Sequence, residues 1–259
     1  MFRREITWLA HNTWRLTMGK TSLVVDPFLL LPSSPCKGSE VRADYVLVSH
    51  GHSDHCASAL EIVRKNDAVL IGMAEVASWF GKQGVKRAEA MNIGGSIPIS
   101  FQDDSGEKMV ARVMMVPALH SSTMPDGTSG GNSCGFLLSL PTAEGETWTD
   151  KGAEIGPLSR TLGGCFNLYF ACDTGYFSEM EWLGSLGIDV AILPIGDRYT
   201  LGPEASLDAI LALKPKRVIP SHFDSWPPIH QDVGKWADAV RKWTDAEPLV
   251  VKPGESATL

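Results

Sequence analysis

VLVSHGHSDH, Val46–His55, runs from an apolar segment into three histidines and an aspartate within six residues. The chain holds seven histidines in all, so this one turn is unusually dense in them. His50 and His52 stand two apart at the end of an extended run, so their side chains leave on the same side. Ser53 and Asp54 precede a helical pattern, with Ser53 expected as its N-cap. Asp54 and His55 then point inward from the first helical turn. One pair of metal ligands thus comes from a strand end and another from a helix start. Imidazole nitrogen with carboxylate oxygen suits Zn²⁺, and Fe²⁺ or Mn²⁺ less selectively. A surface histidine tract is the alternative, and the preceding YVLV strand argues against it.

Other apolar strands end in the same way. LVVD ends at Asp26, VMMVPALH at His120, YFACD at Asp173 and VIPSH at His222. In α/β sheets ligands collect beyond the carboxyl ends of the strands, where loops converge. Unpaired ionisable groups at buried strand ends are costly. A shared metal centre would relieve that cost.

The rest of the chain sets the frame. It has 259 residues, 44% of them hydrophobic, and a formal net charge of −7. That is enough for one large domain or two small ones. Mixed charges without a basic cluster make a nucleic-acid partner unexpected. No apolar run approaches a membrane span, and the opening MFRREITWLAHNTW lacks a signal-peptide core. Five scattered cysteines without a CxxC read as reduced thiols, so a cytoplasmic location is expected.

EITWLA, TWRLTM and SLVVDP read as a strand meander, followed by YVLVSH and the helical SALEIVRKN. AVLIG, SIPIS, ARVMMVPA and CGFLLSL read as strands, with MAEVASWFGKQG a helix stopped by glycine. Pro141–Gly164 is polar and rich in Gly and Thr, either a lid or an inserted surface loop. Strands and helices then alternate: NLYFACD, FSEMEWLGSLG, DVAILPI, PEASLDAILALK, RVIPSH and VGKWADAVRKW. PLVVKPGES is expected as a last edge strand. This order favours a mixed-sheet α/β domain. It fits a single domain over 1–259, with two α/β halves meeting near 127–135.

HGHSDH, His50–His55, resembles the HxHxDH signature of the metallo-β-lactamase superfamily. His120 in PALHSS, Asp173 in ACDTG and His222 in IPSHFD follow in the superfamily's order. VVDPF, CDTGYF, VAILPIGDRYTLGPE and VIPSHFDSWPPI look like the metal-dependent hydrolase branch related to ascorbate-6-phosphate lactonase. The resemblance implies an αββα sandwich of two mixed sheets flanked by helices, with a dinuclear site on one edge. By position it assigns His50, His52 and His120 to a first metal. Asp54, His55 and His222 go to a second, and Asp173 bridges both. It also implies two divalent ions, Zn²⁺ foremost with Mn²⁺ or Fe²⁺ as alternatives, and possible assembly into a homo-oligomer. Three features depart from the branch: the Pro141–Gly164 segment, Arg198 where relatives often carry histidine, and Cys56, read as a small buried hydrophobe.

The implied chemistry is hydrolysis by a metal-bridging hydroxide of a small, anionic ester, lactone or phosphodiester. Asp54 would orient the attacking water and receive its proton. His11, in LAHNTW, is a candidate proton donor or substrate contact, or else an ordinary strand-end residue. Asp26 is expected to pin a loop or accept a hydrogen bond from a ligand histidine rather than bind metal. Arg198, Trp226 and Ser121 are the candidate substrate contacts. Arg198 could clamp a phosphate or carboxylate, or fix a loop. A di-iron redox protein of the same fold would need an acid at His52. A non-catalytic sensor and a nuclease-type phosphodiesterase are the remaining alternatives.

Overall fold

The computed structural model describes residues 2–142, 158, 162 and 164–259. Most of the Pro141–Gly164 segment therefore lies outside the described residues. The first three strands, β1 (Arg4–Ala10), β2 (Thr13–Met18) and β3 (Thr21–Val25), form an antiparallel meander. Its reversals fall at His11–Asn12 and Gly19–Lys20. Gly19 adopts a positive φ of 55° in the second. A side chain there would collide with the Gln102 and Asp103 backbone, so only glycine fits.

The chain then changes to parallel pairing. β4 (Tyr45–Val48) leads through α1 (Ser53–Cys56) and α2 (Ala59–Asn66) to β5 (Val69–Met73). α3 (Ala74–Lys82) leads on to β6 (Ala88–Met91). The second sheet begins with the antiparallel β7 (Ser96–Gln102), β8 (Lys108–Pro117) and β9 (Cys134–Pro141), then β10 (Cys165–Phe170). It continues through α4 (Met180–Gly184), β11 (Val190–Pro194), α5 (Pro203–Leu213) and β12 (Arg217–Ser221). Last come α6 (Val233–Trp243), β13 (Glu247–Pro248) and β14 (Ser256–Thr258).

These strands make two seven-stranded mixed sheets, ordered β14-β1-β2-β3-β4-β5-β6 and β13-β12-β11-β10-β9-β8-β7. Helices flank them in the αββα sandwich. β3, β5, β9 and β11 are buried at every residue, as expected of strands covered on both faces. β7 shows the opposite pattern, alternately exposed and buried, because it is an edge. Among the described residues no helix is long and apolar enough to cross a membrane.

Four details differ from the sequence reading. The chain passes between sheets at 92–95, not at 127–135; the latter stretch leads into β9 within the second sheet. β6 was not foreseen, because AEAM lacks the β-branched and aromatic residues that mark strands. PLVVKPGES is not one edge strand. Pro253 and Gly254 turn the chain, leaving β13 on the second sheet and β14 on the first. The N-cap of α1 is His52, with Ser53 already helical and no side-chain cap bond.

The sheets are tied together close to the strand ends that matter. Trp14 is fully buried and stacks on Trp8, with ring centroids 5.7 Å apart. Its Nε1 donates to Ser221 Oγ at 2.9 Å, joining β2 to β12. The backbone N–H of His222 donates to the His11 carbonyl at 3.2 Å, and Trp8 Nε1 donates to the same oxygen at 2.9 Å. The first turn of one sheet is thereby docked on the end of a strand of the other.

Candidate metal centre

Each candidate ligand sits just past a strand or at a helix start, and the neighbouring hydrogen bonds explain its aim. The loop carrying His120 is held by Ser133 Oγ, which donates to the Ala118 and His120 carbonyls. It is also tied to the Asp173 loop: Leu119 N–H donates to Thr174 Oγ1, and Gly175 N–H to the Leu119 carbonyl. Gly51 separates His50 from His52. A Cβ there would fall 2.6 Å from Met124 Sδ and within 3 Å of the backbone of Thr123 and Met124. The turn can therefore tuck under the 123–131 loop only with glycine at this position.

The donor atoms converge. His50 Nε2 and His52 Nδ1 are 2.9 Å apart, and the His120 ring lies 5.0 and 5.2 Å from theirs. Asp173 Oδ2 is 3.5 Å from His120 Nε2, 3.2 Å from His55 Nε2 and 3.1 Å from His222 Nε2. Asp54 Oδ2 is 3.9 Å from His55 Nε2 and 3.4 Å from His11 Nε2. Asp173 thus stands between the His50–His52–His120 group and the His11–Asp54–His55–His222 group.

Asp26 lies behind both groups, fully buried. Its Oδ1 accepts from the Ser49 backbone N–H at 2.8 Å, and its Oδ2 from Ser49 Oγ at 2.7 Å. The same Oδ2 lies 2.9 Å from His55 Nδ1, and Ser49 Oγ lies 2.9 Å from His50 Nδ1. One carboxylate therefore orients a histidine in each group, directly for His55 and through a hydroxyl for His50. Asp26 also groups with His50 and His55 as a set that could hold an ion. The contact with His55 is the one expected of Asp26 from the sequence. Ser49 was not singled out there, although it immediately precedes His50.

Electrostatics follow from burial and crowding. Burial pushes the His50 imidazole well below its ordinary pKa, and charge on His55 pushes it further the same way. For His55 burial acts downward too, but Asp173 and Asp26 outweigh it and hold the pKa well above the ordinary value. Burial opposes ionisation of Asp173, yet His222 and His55 keep it well below the carboxylate range. Burial and neighbouring His222 lower His11 to about 4. Metal ligation requires neutral imidazoles beside ionised carboxylates. His50, His11 and Asp173 already favour those states, whereas His55, held charged by its two carboxylates, would give up its proton to the ion.

Three buried polar atoms here have no hydrogen-bond partner: His11 Nε2, His55 Nε2 and Asp173 Oδ1. Each such atom costs about 1–3 kcal/mol if left without a partner. A cation satisfies inward-facing lone pairs at once, and the donor set is all imidazole and carboxylate. The residues present therefore fit a metal centre.

The other candidates lie around this cluster. Ser121 Oγ is 3.4 Å from His52 Nε2, so it sits against the remote nitrogen of a candidate ligand. Trp226 is exposed at 37%, its ring edge-on to His11 at 4.8 Å and 6.0 Å from Phe28. Arg198 is exposed, with its guanidinium over the Tyr199 ring. Its loop is tied to the centre through Leu201 N–H, which donates to the Thr174 carbonyl. Cys56 is buried, with burial pushing its thiol up to about 12, and its Sγ lies 3.5 Å from the Gly51 carbonyl oxygen. Ser225, whose hydroxyl meets His11 Nδ1 at 2.8 Å, was missed. Its one signal was position, three residues after His222.

A two-sheet sandwich with a His/Asp cluster at its strand ends defines a metallo-hydrolase of the β-lactamase superfamily. The β-lactamase superfamily domain matches residues 21–223 of this chain. A UPF0173 metal-dependent hydrolase of Thermus thermophilus is 36% identical over 252 residues, 97% of each chain. One from Pelotomaculum thermopropionicum is 35% identical over 261 residues, covering 98% of this chain and all of that one. The solved structure of Igni18, a metallo hydrolase from the archaeon Ignicoccus hospitalis, superposes with a TM-score of 0.78. It is 28% identical and covers 99% of this chain and 98% of its own. The chain belongs to the UPF0173 metal-dependent hydrolases of the metallo-β-lactamase superfamily.

Proposed function

We propose that this metal-dependent hydrolase uses two divalent ions to cleave a small, anionic ester, lactone or phosphodiester. The observation that supports it is Asp173 Oδ2, within 3.5 Å of histidine nitrogens from both ligand groups. His50, His52 and His120 would hold one ion, Asp54, His55 and His222 the other, with Asp173 shared. When bound, such ions supply an acidified water near neutral pH and polarise the substrate oxygen. Zn²⁺ is the first candidate, and Mn²⁺ or Fe²⁺ fit the same donors.

The chain's own residues do the rest. Asp54 is open to solvent, with its side chain 33% exposed. Burial works against its charge, but His11 and His55 hold the carboxyl well below its usual range. It is therefore ionised at neutral pH and takes a proton from attacking water. Exposed Arg198 supplies a permanent cation on a loop tied to the Asp173 loop, suited to a phosphate or carboxylate on the substrate. Trp226 gives the substrate a flat apolar wall. The lactonase-like phrases of the sequence place a lactone or its phosphorylated form among the substrates to try. We place the protein in the cytoplasm, acting on a small molecule, with self-assembly open to direct measurement.

The test is elemental analysis of purified protein, then parallel assay of phosphodiesters, lactones and carboxyl esters on the metal-loaded form. Two ions per chain and turnover of an anionic member of one class are expected. A double His120→Ala, Asp173→Ala variant should lose both metal and activity. Activity retained by that variant with its metal complement intact would sink the assignment.

A further inference from the structure

We infer that His11 is itself a ligand at the second metal position, beside Asp54, His55 and His222. The inference rests on the two-ion reading and deepens it. The His11 side chain is wholly buried, and its Nε2 has no hydrogen-bond partner. His11 belongs to a set of four residues, with Asp54, His55 and His222, that each offer a donor atom within 4.8 Å of the others. Its ring centroid is 4.0 Å from that of His222 and 5.6 Å from that of His55.

The 3.4 Å between His11 Nε2 and Asp54 Oδ2 decides between two accounts. An imidazole–carboxylate hydrogen bond would be about 2.7–2.9 Å long. Donors sharing an ion at about 2.0–2.2 Å lie about 3.0–3.6 Å apart. The observed spacing is that of neighbouring ligands.

The ring is also oriented as a ligand would be. Metal-binding histidines give their other nitrogen to a fixed partner. Here Nδ1 meets Ser225 Oγ at 2.8 Å, and that hydroxyl can donate onward to the Phe223 carbonyl at 3.5 Å. Ser225 then accepts from Nδ1–H, which leaves the Nε2 lone pair facing the centre. The backbone is committed to this aim. His11 sits in the left-handed region at φ 48°, with its carbonyl taken by Trp8 Nε1 and the His222 N–H. A non-glycine residue there costs about 1–3 kcal/mol and persists only where its surroundings over-determine it.

Six of the seven histidines would then be ligands. The exception is exposed His230, 2.8 Å from Asp224. ¹⁵N-histidine-labelled wild-type protein loaded with ¹¹³Cd²⁺ should show six imidazoles coupled to cadmium, His11 among them. Two bound ions with five coupled imidazoles, His11 absent, would overturn the inference and leave the two-ion reading intact. A single bound ion would sink the two-ion reading, and the inference would then stand or fall on whether His11 couples to that ion. By chelator competition, His11→Ala should weaken the second ion by more than about 100-fold, and Ser225→Ala by about 10-fold. The first ion should change only a few-fold in each. Equal affinity of His11→Ala and wild type for both ions would refute His11 ligation. The cadmium experiment needs no variant, so it decides the matter even if His11→Ala fails to fold.

Discussion

The two ends of the metal centre are built differently. At the end formed by His50, His52 and His120, two of the three histidines are partly open, with the His120 side chain 14% exposed. His52 is steadied by the hydroxyl of Ser121 at 3.4 Å. At the end formed by His55 and His222, the His55 side chain is fully buried and its Nδ1 meets the Asp26 carboxylate at 2.9 Å. A short bond to a buried charge is about twice as strong as one between neutral groups. The His55–His222 end is a fixed seat apart from Asp54, whose side chain is 33% exposed, and the other end is the more open in its histidines. Asp173 and Asp26 are the two residues common to both.

That contrast can be broken by residues shared between the ends and sharpened by residues confined to one. Asp173→Asn keeps shape but removes the shared charge. It should cut turnover by more than about 10³-fold and strip metal from both ends, read by kinetics and elemental analysis. Asp26→Asn should weaken both ions by about 10- to 100-fold, because His55 and, through Ser49, His50 lose their anchor. Loss at one end only would show that the ends are independently supported. Gly51→Ala pushes a methyl group into Met124 and its backbone, at a cost of about 1–3 kcal/mol in denaturant unfolding. Its metal defect should be confined to the open end. Ser121→Ala should have the smallest effect, a loss of open-end affinity of about 10-fold or less, with no change in melting temperature.

Much of this centre could be read from residues alone because strand ends are local features. Asp26, His50, His120, Asp173 and His222 each follow an apolar run, and the structure gathers all five. Less was legible where geometry depends on distant chain. His11 looked like a strand-end residue with a chemical role left open. Its inward aim comes from a left-handed backbone and from Ser225, 214 residues away. The passage between sheets at 92–95 carries no composition change, so it could not be located. The tail divided between two sheets because of a turn at Pro253–Gly254, whereas VVKPGES reads equally well as one strand. Ser53 had the right chemistry for an N-cap, but the helix starts one residue earlier than that role requires.

The docking of the His11–Asn12 turn on Ser221–His222 has a consequence for stability. His11, His50, His52, Asp54 and His55 hang from the first sheet, and His120, Asp173 and His222 from the second. Ions bound between them would act as rivets through the sandwich, so the folded state should follow the free-metal concentration. At 100 times the dissociation constant, one such ion adds about 2.7 kcal/mol to the folding free energy. A chelator should accordingly lower the melting temperature, and the thermal transition becomes an occupancy gauge that needs no substrate.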